Sequence, residues 1–252
     1  MKDASLLFCG DPHGRFDHII EAGRSAPTVP LVLLGDLDPK RALHDELGEV
    51  LQQTWFIHGN HDADSDAVWH RVWGSDLADR NLHGKVVTLP DGTRVAGLGG
   101  VFREAVWYPT PSAARGGQPA YRTRQEHARA TPQQDRWQGG VHRRHWGTIY
   151  PEDIDRLADL RADVLVTHEA PGYHWNGFEI IDTLAQAMGV KLVVHGHHHD
   201  CLDSSMHWGA QGFVSYGLGL RGITSVDRSG AAMCVRRGEL DEQRAHRGGF
   251  RR

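Results

Sequence analysis

The stretch Thr54-Trp55-Phe56-Ile57-His58-Gly59-Asn60-His61-Asp62 passes from apolar to polar across a single glycine. A short apolar run closed by such a turn reads as a buried strand that delivers polar groups at its carboxyl end. The same cadence occurs twice earlier. Leu6–Cys9 leads into Gly10-Asp11, and Pro30–Leu34 leads into Gly35-Asp36. Between these runs, the stretches near 16–25, 40–52 and 64–73 carry helical spacing. Strand, loop and helix in repetition imply an α/β fold with helices on the faces of a sheet.

Further along, Lys85–Leu89 and Arg94–Leu98 flank Pro90-Asp91-Gly92 and read as a hairpin. A second α/β stretch follows: helix 151–161, strand Val164–Thr167, helix 178–188 and strand Lys191–His195. Short β-like runs close the chain at Phe213–Tyr216, Ile223–Val226 and Ala231–Val235, with Gly230 in the last turn. Residues 1–243 are read as a single domain and 244–252 as a disordered basic tail. Residues 101–150 break the pattern. They hold eight Arg, no Lys and the acids Glu104, Glu126 and Asp135, a local net charge of +5. With Val106-Trp107-Tyr108, Trp137 and Trp146 as apolar anchors, this Arg/Trp-rich insertion is expected to be functional, a cap over the substrate. A flexible surface loop is the competing reading.

The bulk numbers exclude several classes. A chain of 252 residues, 39% hydrophobic and 24% charged, is ordinary for a globular protein. A net charge of −4 does not suit a general coat for nucleic acid or an anionic membrane, and no apolar run reaches the length of a membrane span. Met1–Gly10 has one lysine and too short an apolar run for a secretion signal, so a cytoplasmic location is expected. Cys9, Cys201 and Cys234 are odd in number and widely spaced, which gives no disulfide framework. The unusual feature is 18 histidines, several beside Asp, Asn and Gly.

Five motifs carry the chemistry: Asp11-Pro12-His13-Gly14, Gly35-Asp36-Leu37-Asp38, Gly59-Asn60-His61-Asp62, Thr167-His168-Glu169 and Gly196-His197-His198-His199. Each begins where an apolar run ends, and ligands of open α/β sheets bind beyond the carboxyl ends of the strands. Loops from five strands can therefore meet at one spot. Carboxylate, amide and imidazole donors without thiolates suit divalent Mn, Fe, Zn or a similar ion. Alternation along an extended chain would point Asp11 with His13, and His197 with His199, leaving His198 turned away toward the surface or the substrate. Asp36 has two oxygens and can bridge two ions. Two divalent ions can clamp the attacking and leaving oxygens of a phosphoryl transfer and acidify water. With Asp11, Asp36 and one hydroxide they leave about one net positive charge for an anionic ester.

These motifs, in this order, resemble the calcineurin-like metallophosphoesterase superfamily. The resemblance spans residues 10–199. It implies a two-sheet β-sandwich flanked by helices, a four-layer α/β/β/α arrangement, with the hairpin and the final β-rich region in the second sheet. It implies that Asp11, His13, Asp36 and His199 hold one metal, and that Asp36, Asn60, His168 and His197 hold the other. His61 would be the catalytic histidine and Asp62 would orient its ring. The motif Gly35-Asp36-Leu37-Asp38-Pro39 lacks the Asp-Arg-Gly ending of the protein Ser/Thr phosphatases, and no Arg directly follows Asp62. Both features argue against a close Ser/Thr phosphatase.

The remaining polar residues weigh differently. Asp38 reads as a turn or cap residue, His58 and His195 as core or supporting groups, and Glu169 as structural. Arg15 and the run His142-Arg143-Arg144-His145 are candidate substrate contacts, because Arg pairs with phosphate in a bidentate way. The function expected is hydrolysis of a phosphomonoester or phosphodiester of a small or nucleotide-like substrate. A nuclease on single-stranded nucleic acid is the alternative, since Arg and Trp can meet a backbone and stack bases. A non-catalytic scaffold is disfavoured, because every expected ligand is present.

Overall fold

The computed structural model describes residues 4–227 and 229–244. Ten strands are β1 Ala4–Cys9, β2 Leu31–Leu33, β3 Thr54–Phe56, β4 Val86–Thr88, β5 Arg94–Leu98, β6 Val164–Thr167, β7 Leu192–His195, β8 Val214–Gly217, β9 Ile223–Asp227 and β10 Ala232–Arg236. The helices are α1 Asp17–Ser25, α2 Leu43–Leu47, α3 Asp66–Trp73, α4 Arg124–Ala130, α5 Pro151–Ala158, α6 Glu179–Met188, α7 Trp208–Gln211 and α8 Asp241–Arg244.

The strands form two five-stranded sheets, ordered β10-β9-β1-β2-β3 and β4-β5-β6-β7-β8. Side chains alternate across a strand, and that alternation sorts the apolar residues into three cores. Leu6, Phe8, Val32, Leu34 and Ile57 of the first sheet pack with Val95, Val164, Val166, Leu192 and Val194 of the second. Their neighbours Leu7, Cys9, Leu31, Leu33 and Phe56 turn the other way, against Ile19 of α1, Leu43 and Leu47 of α2, and Val68 and Val72 of α3. On the second sheet, Ala96, Leu98, Leu165 and Val193 meet Ile154 and Leu157 of α5 and Ile181, Leu184 and Met188 of α6. The result is the expected α/β/β/α sandwich. Full burial of each such side chain stabilises by about 1.5–3 kcal/mol, so the strand ends sit on a stiff platform.

Three departures from the sequence reading have physical causes. The final β-rich region does not enter the second sheet as a unit. β8 does, parallel to β7, but β9 pairs antiparallel with β1 and β10 with β9. Local periodicity marks these strands but carries no information about which edge they join. The helix expected near 40–52 is broken, because Gly48 takes φ +49° and a 3-10 turn follows over Gly48–Gln53. The segment 101–150 contains a helix, α4, opened by a capping box in which Thr123 and Glu126 exchange hydrogen bonds with each other's backbone. Its tryptophans dock on α3: Trp137 and Trp146 lie 5.7 and 4.9 Å from Trp69, centroid to centroid. Of the basic tail, Arg244 closes α8, and 245–252 lie outside the described residues. Among the described residues no helix is long and apolar enough to cross a membrane.

Candidate active site

β1, β2 and β3 run parallel, as do β5 to β8, so the motif loops leave their sheets at matching ends. Backbone bonds stitch the loops together: His13 N–H donates to Asp36 O at 3.0 Å, and Gly14 N–H to Leu37 O at 2.9 Å. The two sheets are joined by His168, whose Nδ1–H donates to Leu34 O at 2.7 Å.

The i, i+2 geometry is not the extended alternation the sequence predicts. Asp11, His13, Asp36, Asp38, His197 and His199 all have positive φ, between 29° and 69°. Left-handed backbone at a non-glycine residue costs about 1–2 kcal/mol each, and such strain collects where surrounding structure holds it in place. Two glycines make room for the polar groups. A Cβ on Gly35 would lie 2.5 Å from His168 Nδ1, and one on Gly59 would meet His168 Cε1 at 2.6 Å.

Two groups of donors are gathered tightly enough for a cation. His13, Asp36 and His199 form one; Asp36, His168 and His197 form the other; within each, the donor atoms lie within 4.8 Å of one another. Asp36 belongs to both. His13 Nε2 is 3.1 Å from His199 Nε2 and 3.7 Å from Asp36 Oδ2. His168 Nε2 is 3.3 Å from Asp36 Oδ1 and 3.2 Å from Asn60 Oδ1. With metal–donor bonds of about 2.1 Å, two donors on one tetrahedral ion stand roughly 3.4 Å apart. The spacing therefore fits a divalent ion in each group. His168 also fits in detail: its Nδ1 proton is spent on a carbonyl, which leaves Nε2 for an ion, as expected of a metal-binding imidazole.

The electrostatics agree. Burial pushes the His13, His197 and His199 pKa values down, to about 3 for His197 and about 4 for His199, so these rings are neutral donors at pH 7. Burial also opposes a charged His168, but Asp36, Asp11 and the Leu34 carbonyl outweigh it and hold its pKa up at about 10. The protein's own groups thus leave a shortage of positive charge at this spot that a cation would satisfy. Asp11 is fully buried behind the cluster. Both its oxygens accept from His197 N–H at 3.1 Å, and it lies outside the two cation-sized groups.

His61 lies beside the cluster, its ring 5.4 Å from that of His13, and its backbone N–H donates to Asp36 Oδ1 at 2.9 Å. Asp62 does not orient it. Asp62 is buried and accepts from Leu37 and Asp38 N–H through Oδ1 and from Gly59 N–H through Oδ2, and these backbone groups, not the ring, are its partners. The ring's partner is Asp64, whose Oδ2 accepts from His61 Nδ1–H at 2.6 Å. Burial lowers the His61 pKa; Asp36 and the bond to Asp64 more than offset that, and the net shift is upward.

The candidate substrate contacts are redistributed. Arg143 is committed to the loop that carries His61: it donates to Ala63 O at 3.1 Å and Asp64 O at 2.8 Å, and pairs with Asp66. His142 accepts Arg144 N–H through Nδ1, at 3.3 Å. Arg144 is exposed, and exposed Arg15 stands 3.9 Å from Glu239. His198 belongs to neither donor group; it is half-buried, stacks on His174 at 4.0 Å and lines the cavity beside Asn60 and His197. His58 and His195 are buried, the latter bonded to Tyr173 Oη at 2.7 Å. Sequence reasoning missed Asp64, Arg103 and the placing of Glu169, whose Oε1 accepts Phe102 N–H at 3.0 Å and ties residues 101–103 to the end of β6. Only the position of Asp64, three residues after His61, was a signal.

Fold and site together define a four-layer α/β sandwich with a polar, cation-sized centre on its strand ends. The chain belongs to the calcineurin-like phosphoesterase family, whose model matches residues 4–201. Membership implies metal-dependent hydrolysis of phosphoesters. An uncharacterized Haemophilus influenzae protein is 45% identical over 197 residues, 77% of this chain and 83% of that one. The crystal structure of TT1561 of Thermus thermophilus aligns with TM-score 0.57 at 15% identity, over 93% of this chain and 99% of the other. A second solved structure aligns with TM-score 0.58 at 13% identity, over 92% and 98%. At such identities these two speak to the fold alone.

Proposed function

We propose that the protein is a dinuclear metallophosphoesterase acting on a small or nucleotide-like phosphate ester. His13, Asp36 and His199 would hold one divalent ion, with Asp11 a further ligand once its carboxylate turns from the His197 amide, and Asp36, Asn60, His168 and His197 the other. The observation that carries the reading is the sharing of Asp36 between two groups of donors spaced for a cation each. Bound there, Mn, Fe, Zn or similar ions would supply Lewis acidity that polarises the phosphoryl group and acidifies water near neutral pH.

The protein's own residues do the rest. Neutral His13, His197 and His199 and the carboxylates set the site's charge and geometry. Asp64 accepts the Nδ1 proton of His61 and favours the charged imidazolium, whose second proton, on Nε2, is the one His61 would give to the leaving oxygen. Arg143 holds the Ala63 and Asp64 carbonyls and so steadies that pair. We place the reaction in the reducing cytoplasm, a reading supported by three cysteines with no disulfide among them. Purified protein reconstituted with Mn²⁺ should hydrolyse p-nitrophenyl phosphate or its bis-ester, and Asp36→Ala should abolish the activity. Equal turnover by wild type and Asp36→Ala would overturn the proposal.

A further inference from the structure

We propose that Arg103 grips the phosphoryl group, and that the cavity it borders beside Asn60 and His197 receives the ester's organic half. The substrate is then the phosphate ester of one compact, flat, hydrogen-bonding group, not a polymer. This rests on the phosphoesterase reading and names the substrate class of that site.

The cavity has a volume of about 380 Å³ and touches the donor cluster at Asn60 and His197. That is near the lower end for small-molecule sites, which run to roughly 300–1,000 Å³, so it admits a ring system and little more. One wall is aromatic: Phe178 stands 5.1 Å from Tyr108 and 4.5 Å from Phe102. Polar groups line the remainder, among them Asn176 and Glu169, whose Oε2 lies 3.9 Å from His197 Nε2, beyond hydrogen-bond reach. A flat ring carrying donors and acceptors fits that mixture.

Arg103 is set apart from the other half-buried arginines of its segment. Arg124 donates to His145 O, Thr148 O and Asp153 and also contacts His83, while Arg143 has three acceptors. Arg103 Nε is buried with no partner among the described residues. Burial and nearby Arg144 disfavour its charge, and Asp64, Glu169 and Asp36 only partly compensate. A half-buried guanidinium whose buried Nε lacks an acceptor, next to a phosphate-processing centre, calls for an anion. Its backbone is firmly placed. Phe102 N–H is bonded to Glu169, Val101 pairs with Thr148, and Arg103 O accepts from Val106 and Trp107 N–H. The grip is therefore built in advance and does not depend on a loop closing.

The test is calorimetric binding of inorganic phosphate and of phenyl phosphate to the Mn²⁺-reconstituted full chain, with steady-state kinetics alongside. Arg103→Gln should weaken both ligands at least tenfold with an unchanged melting temperature, and Arg103→Lys should recover part of the loss. Tyr108→Ala should weaken phenyl phosphate several-fold and leave inorganic phosphate alone. Wild-type affinities in Arg103→Gln, or a single-stranded oligonucleotide that outcompetes a mononucleotide with steep salt dependence, would overturn the inference. Mn²⁺ uptake separates the two failures. If wild type takes up Mn²⁺ and Asp36→Ala does not, yet Arg103→Gln binds normally, only this inference falls. If wild type takes up none, the phosphoesterase reading falls with it.

Discussion

Replacing Asp62 by alanine removes the acceptor of three backbone N–H groups, those of Leu37, Asp38 and Gly59. Leu37 and Gly59 are buried, so their amides cannot turn to water. Each stranded buried donor costs about 1–3 kcal/mol, which gives roughly 2–6 kcal/mol for the pair. A partial gain opposes this. Burial, and after it the Asp36 charge, pushes the Asp62 pKa up to about 7, so deleting the carboxylate relieves some repulsion. A net loss of about 2–4 kcal/mol follows, against a total domain stability of about 5–15 kcal/mol. For a chain of this size that is a drop in melting temperature of roughly 5–15 °C. Urea unfolding and thermal melts of wild type, Asp62→Ala and Asp62→Asn provide the assay. Asn keeps an acceptor oxygen for Leu37 and Asp38 and should lose about half as much. A wild-type midpoint for Asp62→Ala would refute the reasoning, and with it the claim that Asp62 braces the loops after β2 and β3 instead of orienting His61.

Asp64→Asn should do the reverse: an unchanged melt, a kcat lowered only about two- to five-fold, and an activity limb assigned to His61 moved toward lower pH. The effect is small because His61 and Asp64 are 48% and 58% exposed, where water discounts the interaction to about 0.5–1 kcal/mol. Asp153→Ala should unfold the chain earlier by about 3 kcal/mol, since it strands Arg124, which anchors the segment before α5, and removes a buried partner of His83. Acid should weaken the fold from about pH 6.5 downward. His13, His18, His58, His127, His145, His195, His197, His198 and His199 all have folded pKa values lowered chiefly by burial, so the unfolded chain takes up their protons first. Their contribution is complete above 6.5 and is lost as the pH falls through their folded values, about 4 for His18 and His195. Raised values at Asp11, Asp62, Glu169, His61 and His168 act in the opposite sense but are fewer. Thermal melts in a chelator between pH 7 and 4.5 should fall monotonically, and a rise would contradict this balance.

The sandwich was legible because strand alternation leaves a strong mark: Leu6 and Phe8 face one core, Leu7 and Cys9 the other. The donor set was legible because each motif sits where an apolar run stops, so topology alone brings the loops together. What alternation could not convey is the turn conformation. His13 and His199 meet through left-handed backbone, which depends on bonds such as His13 N–H to Asp36 O, twenty-three residues apart. Asp62 and Asp64 show the same limit. Asp62 is turned to backbone N–H groups, one in its own loop and two in the loop after β2, and Asp64 is left to meet the His61 ring. Arg143 and Arg103 are alike in sequence, and only packing separates the arginine that holds the Ala63–Asp66 turn from the one whose Nε is left without an acceptor. The edge on which β9 and β10 settle is likewise a matter of long-range pairing.

Metal stoichiometry tests the central claim most directly. Elemental analysis of the chain after reconstitution and desalting should find two divalent ions per molecule. His13→Ala or His199→Ala should retain one, His168→Ala or His197→Ala likewise one, and Asp36→Ala close to none. Two ions retained in Asp36→Ala, or no more than one in wild type, would contradict a shared carboxylate between two cation sites.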